Sequence, residues 1–200
     1  MKKLVIILDP AHGSNVAGKC SPDGRHKEYR FSRDVLSRVY GKLVNLGFRV
    51  EYTNTSEKEI GLIKRQENAN KIKVEPGQTK FLFSLHNDAA GNGSKWMNAR
   101  GFSFYTSVGN TKSDIFGNII FDQLKEDFYP LKARMWKKSH PGFEKNFTVL
   151  MGKTYYAVLL EWLFQDNKQD VENLLSPATQ EELVNSLVKA FIKIEEYLNQ

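Results

Sequence analysis

Three short apolar runs of this sequence each lead into a side chain that can bind a metal ion or exchange a proton. These side chains are His12, His86 and Glu161, which follow the runs 5–11, 81–85 and 157–160. Short apolar runs bounded by polar segments are typical of buried strands. In open α/β sheets, ligands bind beyond the carboxyl ends of the strands. The pattern therefore predicts a metal-dependent hydrolytic site at one edge of a sheet.

Length and composition favour one soluble globular domain over residues 1–200. Of the 200 residues, 40% are hydrophobic and 26% are charged, which is ordinary globular usage. The single cysteine, Cys20, excludes an internal disulfide. The apolar stretch Leu4 to Leu8 is shorter than the roughly 7–15 residues of a signal-peptide core, and no run reaches the ~18 apolar residues of a membrane span. We therefore expect a cytoplasmic chain as synthesised, with no membrane insertion.

The charge balance indicates a polyanionic partner. The net charge is +6 and the sequence pI is about 9.2. The densest basic stretch is the segment 132–145, called here the basic loop, in which Trp136 and Phe143 are interleaved with lysine and arginine. A solvated loop is the simpler interpretation of such a run. The charge would suit nucleic acid or an anionic cell wall, and no nucleic-acid-binding signature accompanies the basic loop.

The order of predicted elements indicates an α/β fold. Strands are predicted over 3–8, 48–53, 80–85, 101–106, 147–151 and 156–162. Helices are predicted over 28–46, 59–73, 112–128, 168–175 and 178–198. Strands that alternate with helices imply a layered fold with a largely parallel sheet. The polar segment 9–27 is a long loop, a length that is often functional.

The candidate metal ligands are His12, His86 and Glu28. Catalytic zinc sites use three protein ligands from His, Glu, Asp and Cys and keep a fourth position for water. Glu28 begins a predicted helix and lies in line with Val35 and Val39, so its carboxylate is on the core-facing side. Favourable charge at a helix N-terminus is the alternative explanation. That alternative explains the first turn but not the inward direction, so we favour a ligand role.

Glu161 is the candidate catalytic base. It is the only charged residue between Tyr155 and Phe164. An inward salt bridge is the simpler alternative. Burial raises the pKa of a carboxyl group towards the range in which it can accept and return a proton near neutral pH.

Four other residues compete for places at the site. Cys20 could ligate a metal, although a thiolate suits a closed structural site better. His26 lies beside Arg25 and Lys27, which predicts a solvated position, and His140 is expected to meet substrate or solvent. Asp9 is expected to support the metal site as a hydrogen-bond acceptor or turn residue.

At these residues the chain resembles the zinc-dependent N-acetylmuramoyl-L-alanine amidases, the type 3 family of cell-wall hydrolases. The matching segments are 6–13, 21–24 leading to Glu28, Arg65 with 69–70, 84–89, 101–105, and 158–164 with Asn167 and Asp170. They span nearly the whole chain. Ala11, Ser14-Asn15 and Trp162 depart from the usual pattern, and these differences bear on the expected shape of the substrate groove.

The resemblance implies about six strands in a mixed, mostly parallel sheet with helices on both faces. With the length of the chain, we expect a single catalytic domain over 1–200 and no separate cell-wall-binding domain. It implies one Zn²⁺ per chain held by His12, Glu28 and His86, with Glu161 as the catalytic glutamate. The implied substrate is peptidoglycan, cut at the amide between N-acetylmuramic acid and the L-alanine of the stem peptide. The implied water carries a pKa lowered to about 7 by the metal.

Family members include secreted autolysins and phage endolysins. The missing signal peptide favours a phage or prophage endolysin that is released through a holin. The alternatives are a zinc carboxypeptidase acting on the stem peptide and a catalytically inactive wall-binding module of the same fold.

Overall fold

A computed structural model describes residues 2–200 of the chain as one α/β domain with a six-stranded sheet. The strands are β1 (Leu4–Pro10), β2 (Arg49–Tyr52), β3 (Thr79–Asp88), β4 (Ser103–Thr106), β5 (Phe143–Glu144) and β6 (Tyr156–Phe164). The helices are α1 (Glu28–Asn45), α2 (Leu62–Lys71), α3 (Lys112–Asp127), α4 (Lys168–Leu175) and α5 (Pro177–Leu198). The strand order is β2-β1-β3-β6-β4-β5, and only the β4–β6 pairing is antiparallel. The predicted mixed, mostly parallel sheet is confirmed.

The two faces of the sheet are covered unequally. Alternate side chains of each strand point to opposite faces. One face, represented by Ile6, Phe83 and Leu160, packs into the main core under α1, α3, α4 and α5. The other face, represented by Leu82 and Leu159, packs into a smaller core under α2 and a short 3₁₀ turn. Helices therefore lie on both faces, but the smaller layer leaves the carboxyl ends of the central strands accessible.

The prediction of a strand over 147–151 is wrong. Thr148–Leu150 form a single 3₁₀ turn, whose Val149 and Leu150 are buried in the smaller core. The carbonyl of Val149 accepts a hydrogen bond from the Tyr155 hydroxyl (3.0 Å). The apolar run signalled burial correctly, but periodicity alone does not distinguish short buried segments. The sixth strand is the two-residue β5, which lies inside the basic loop.

The end of α1 follows its sequence signal. Asn45 is the last helical residue and Gly47 adopts a φ of +79°, a left-handed conformation that glycine enters without a Cβ penalty. The chain then reverses into β2 and pairs with β1 in parallel. In the described part of the chain, residues 2–200, no helix combines the length and the hydropathy that a membrane span requires.

A buried ion pair fixes the carboxyl end of β1. The Asp9 carboxylate accepts hydrogen bonds from Arg65 Nη1 (2.8 Å), from Ser84 Oγ (2.6 Å) and from the Thr53 hydroxyl. Arg65 also donates to the carbonyl of His12 (2.9 Å). Asp9 therefore joins three segments and sets the direction of the chain into His12. This agrees with its expected supporting role.

Replacement of Arg65 by methionine should strongly destabilise the fold. Both side chains of the Arg65–Asp9 pair are 2% exposed, and removal of one partner of a buried pair typically costs about 3–5 kcal/mol of the free energy of unfolding. Lys64→Met is the matched control, because Lys64 and Glu67 are 53% and 50% exposed and such pairs contribute about 0–1 kcal/mol. Urea unfolding measures both variants. Equal effects of the two substitutions would contradict this assignment.

Candidate metal centre

The predicted site residues meet at the carboxyl ends of β1, β3 and β6. His86 and Glu161 are register partners on neighbouring parallel strands. Both follow the alternation that places their side chains on the face opposite the main core. His12 comes two residues after β1, and Glu28 is the first residue of α1. Four residues that are far apart in the sequence are thereby brought to one edge of the sheet.

Both imidazoles are directed at the same carboxylate oxygen. Glu28 Oε1 lies 3.3 Å from His12 Nε2 and 3.0 Å from His86 Nδ1. Glu28 is 1% exposed, whereas the two histidine side chains are 22% and 15% exposed. The three potential ligand atoms lie within 4.8 Å of one another. The arrangement is a compact cluster with a buried carboxylate on one side and two partly accessible imidazoles on the other.

The cluster favours the charged form of Glu28. Burial by itself would raise the pKa of the Glu28 carboxyl group, but hydrogen bonds with His12 and His86 lower it well below its usual value. Burial would lower the pKa of His86, and the bond and charge of Glu28 raise it. The carboxylate therefore stays ionised at neutral pH, as a metal ligand must.

Two residues that the sequence analysis did not propose hold the Glu28 carboxylate. The backbone N–H of Asn87 donates to Oε1 (3.1 Å), and Gln165 Nε2 lies 3.3 Å from Oε2. Asn87 and Gln165 are both buried. Asn87 directly follows His86, but its contact is made by the backbone, and the contact of Gln165 spans 137 residues, so no local pattern in the sequence reveals either role. Such outer partners orient ligands and are part of a metal site's design.

The backbone around His12 is tightly constrained. His12 adopts a φ of +46°, a conformation that is uncommon for residues other than glycine. At Gly13, an added Cβ would lie 2.0 Å from the backbone nitrogen of Glu59, so no larger residue fits. Arg33 Nη2 and Arg65 Nη2 both donate to the His12 carbonyl, at 2.8 and 2.9 Å. These contacts fix the backbone that carries the imidazole.

Glu161 is an unpartnered carboxylate beside the cluster. Its Oε2 is inaccessible to solvent and has no hydrogen-bond partner among residues 2–200. Burial raises the pKa of Glu161 to about 8, while the charge of His86 opposes this shift. The salt bridge that was the simpler explanation is not formed in the described part of the chain. A carboxyl group with this pKa can accept and return a proton near neutral pH.

The competing residues take other positions. The prediction of a solvated His26 is wrong, because its ring is buried, packs on Phe31 and lies 2.8 Å from Asn87 Oδ1. The loop folds back through a bridge between Cys20 and Lys27, which turns His26 inward despite its charged neighbours. Cys20 is partly buried and belongs to neither of the ligand clusters found among residues 2–200.

His140 belongs to a second cluster, with Asp114 and Glu144, at the outer edge of the sheet. Its Nε2 lies 3.5 Å from Glu144 Oε1. The Asp114 carboxylate accepts hydrogen bonds from the Thr106 hydroxyl (2.7 Å) and from the backbone N–H of Thr111 (2.8 Å). Asp114 therefore caps α3, and this cluster attaches the basic loop to the edge of the sheet.

Trp162 does not line the site. It is 1% exposed and packs against Phe102 and Phe128 in the main core. Because it follows Glu161 directly, strand alternation directs it to the opposite face. The expectation that this residue alters the shape of a substrate groove is therefore wrong.

A strand-edge cluster of two imidazoles and a carboxylate, with a second carboxylate alongside, defines a candidate metal-dependent hydrolase. The sequence matches the family model of the N-acetylmuramoyl-L-alanine amidases over residues 6–193. This chain belongs to that family, the type 3 peptidoglycan amidases. Comparison with curated protein sequences gives no match.

Solved structures of amidases and of an endolysin share the fold. The amidase Ami1 of Mycobacterium smegmatis is 19% identical with a TM-score of 0.80, and the alignment covers 98% of each chain. The catalytic domain of CwlV from Bacillus (Paenibacillus) polymyxa var. colistinus is 22% identical with a TM-score of 0.79, covering 100% of this chain and 99% of that one. The catalytic domain of the CD27L endolysin targeting Clostridia Difficile is 16% identical with a TM-score of 0.64, covering 96% and 97%.

The pKa of Glu161 should make the stability of the metal-free protein depend on pH. A carboxyl group whose pKa rises from 4.5 to about 8 on folding gives a folded state that binds more protons than the unfolded state between these values. Stability therefore falls as pH rises through this window. Glu161→Gln removes the effect, so the free energy of unfolding of the variant should exceed that of the parent increasingly from pH 5 to pH 8. We expect a change of at least about 1 kcal/mol, since each pKa unit corresponds to ~1.4 kcal/mol.

Urea unfolding in the presence of a chelator measures this difference. A difference between Glu161→Gln and the parent that stays constant across the pH window would contradict the assignment.

Proposed function

We propose that this protein is a zinc-dependent amidase that hydrolyses the bond between N-acetylmuramic acid and the L-alanine of the peptidoglycan stem peptide. The single observation that carries the proposal is the spacing of the ligand atoms of His12, Glu28 and His86 beside the unpartnered carboxylate of Glu161. Family membership supports the amide as the bond that is cut. The stated residue roles and the identity of the metal are part of the proposal.

The spacing of the donor atoms suits a tetrahedral ion. Zinc–nitrogen and zinc–oxygen bonds of about 2.05 Å place neighbouring ligand atoms about 3.3 Å apart in a tetrahedron. The distances from Glu28 Oε1 to His12 Nε2 and His86 Nδ1 are 3.3 and 3.0 Å. Two imidazoles and one carboxylate are also a donor set that zinc enzymes use. His12, Glu28 and His86 would together hold one ion and leave a fourth position open.

Zinc bound there would polarise the scissile carbonyl and lower the pKa of water. Asn87 and Gln165 hold Glu28, and Arg33 and Arg65 fix the backbone of His12, so these side chains keep the ligands in place. A nearby dication would lower the pKa of Glu161 from its metal-free value, because an opposite charge favours the ionised carboxylate. Glu161 would then accept a proton from the attacking water and deliver it to the departing alanine nitrogen.

We further propose that the enzyme acts as a phage or prophage endolysin that leaves the cytoplasm through a holin. The likeness of the fold to the catalytic domain of the CD27L endolysin supports this role, although bacterial amidases share the fold with higher TM-scores. Expression in the native host with and without a holin tests the route. Export and wall cleavage without a holin would exclude it.

Digestion of purified peptidoglycan should release stem peptides that begin with a free L-alanine amino group, which mass spectrometry detects. Glu161→Gln should lower kcat by about 10²–10⁴-fold, the usual contribution of a general acid–base group, while one zinc ion stays bound. Glu172→Gln, which changes an exposed glutamate at the surface (64% exposed), is the control and should retain full activity.

The same digest separates the rival functions. Shortened stem peptides with intact muramyl–alanine bonds would replace the amidase with a carboxypeptidase. Wall binding without any cleavage by the zinc-loaded parent would indicate an inactive binding module. Full activity of Glu161→Gln would refute the role given to that residue.

A further inference from the structure

The guanidinium group of Arg134 stands next to the site and has no ion-pair or hydrogen-bond partner among residues 2–200. Arg134 lies in the basic loop and is half-buried, and its Cζ lies 4.7 Å above the ring centroid of Phe164. Among residues 2–200 it forms no ion pair and donates no side-chain hydrogen bond, although its backbone N–H donates to the Phe102 carbonyl (2.8 Å). A guanidinium stacked on a ring keeps its in-plane N–H donors free for a carboxylate.

The register of the sheet places Arg134 in one row with the candidate metal centre. His86 pairs with Glu161, and Glu161 pairs with Ser103. Phe102, which precedes Ser103, forms a parallel bridge with Ala133, which precedes Arg134. Arg134 therefore lies beside Ser103, on the side away from Glu161. Strands are ~4.8 Å apart, so the backbone of Arg134 lies about 10 Å from that of Glu161, measured across the strands.

A bulge in β6 directs the stacking ring to the same face as Glu161. Leu163 adopts a φ of +61°, and the register between β3 and β6 shifts between His86 and Asp88. Trp162 and Leu163 consequently both pack into the main core. Phe164 then lies on the face of the site, where its ring supports Arg134.

The charges around Tyr105 agree with this arrangement. Burial raises the pKa of Tyr105, the charges of Asp88 and Glu161 raise it further, and Arg134 lowers it. The register supports this, because Asp88 follows His86 by two positions, Tyr105 follows Ser103 by two, and Arg134 lies opposite Ser103, so strand alternation places all of them on the face of Glu161. Burial also raises the pKa of Asp88, and Arg134 opposes this shift without forming a contact pair. Compensation of the negative charge of Asp88 is the simpler role for Arg134. A comparison of two substrates separates this role from substrate binding.

We propose that Arg134 binds the free α-carboxylate of the second stem-peptide residue, the γ-linked D-glutamate, and so selects peptidoglycan in which this group is not amidated. The proposal rests on the function proposed above. The α-carboxylate lies about two residue lengths, or ~7 Å, from the scissile nitrogen. A substrate that crosses the strand ends from the metal centre places this group within reach of the Arg134 side chain. Bidentate pairing with a carboxylate is the recognition for which arginine is best suited.

The test uses two synthetic muramyl pentapeptides that differ only in an α-carboxylate or an α-carboxamide on the second residue. The zinc-loaded parent should cleave the carboxylate form with a KM roughly tenfold lower, as expected for a charge-assisted hydrogen bond at a partly exposed site. Arg134→Met should remove this preference by raising KM for the carboxylate form alone, with kcat changed by less than about threefold. Arg134→Lys should retain an intermediate preference, because it keeps the charge but loses the planar fork.

Lys137→Met is the matched control, since Lys137 belongs to the same basic loop and stacks on Trp136 at 4.4 Å. It should keep the full preference of the parent. Circular dichroism confirms that each variant is folded.

The outcomes separate the two proposals. Absence of a preference in the parent, or an equal loss in Arg134→Met and Lys137→Met, would overturn the subsite. An equal loss of activity by Arg134→Met on both substrates would assign Arg134 to the compensation of Asp88 instead. Failure of the parent to cleave either pentapeptide at the muramyl–alanine bond would overturn the proposed function, and the subsite with it.

Discussion

The site depends on one buried carboxylate. Glu28 opens α1 on the main-core side of the sheet, and its side chain reaches the strand ends, where His12, His86, Asn87 and Gln165 surround it. A buried carboxylate without partners is strongly unfavourable. The fold must therefore bring three segments to this carboxylate at once. They are the start of α1, the chain that leaves β1 and the end of β3. The fold positions the candidate ligands through this requirement.

The unequal covering of the sheet explains why a site forms at this edge. The main core under α1, α3, α4 and α5 supplies most of the apolar burial, whereas the ten-residue α2 and a 3₁₀ turn cover the other face only in part. Strand alternation directs His86 and Glu161 to this second face. The ion pair of Asp9 with Arg65 joins α2 to the end of β1 beside the site. It thereby fixes the strand that leads to His12. One face of these strands therefore packs into the main core, and the other face carries the side chains of the candidate site.

Much of this could be predicted from the sequence, because the relevant signals are local. Apolar runs, the glycine after α1 and helical periodicity gave the element order, and the inward position of Glu28 followed from its alignment with Val35 and Val39. The wrong or missing predictions concern residues whose position depends on contacts with distant parts of the chain. The segment 147–151 was apolar enough for a strand but forms a turn over α2. His26 was placed in solvent by its charged neighbours, whereas the fold of its loop buries it against Asn87. The supporting role of Gln165 depends on a contact across 137 residues that no local pattern encodes.

The bulge at Leu163 is a further feature that sequence periodicity could not reveal. It interrupts the alternation of β6 after Glu161, and it brings Phe164, on whose ring Arg134 stacks, to the face that carries the site. A strand without this bulge would place the ring of Phe164 in the main core. The position of Phe164 therefore depends on an irregularity of the sheet, whereas His86 and Glu161 of the candidate metal centre lie in its regular part.

X-ray absorption at the zinc edge of the purified protein examines the ligand set of His12, Glu28 and His86. We expect one zinc ion per chain with nitrogen and oxygen neighbours at about 2.0–2.1 Å, two of them imidazoles, and no sulfur neighbour. In Glu28→Gln, zinc should bind more weakly and one oxygen neighbour should be lost. A sulfur neighbour at about 2.3 Å would indicate ligation by Cys20 and would contradict the ligand set. An unchanged spectrum in Glu28→Gln would contradict it equally.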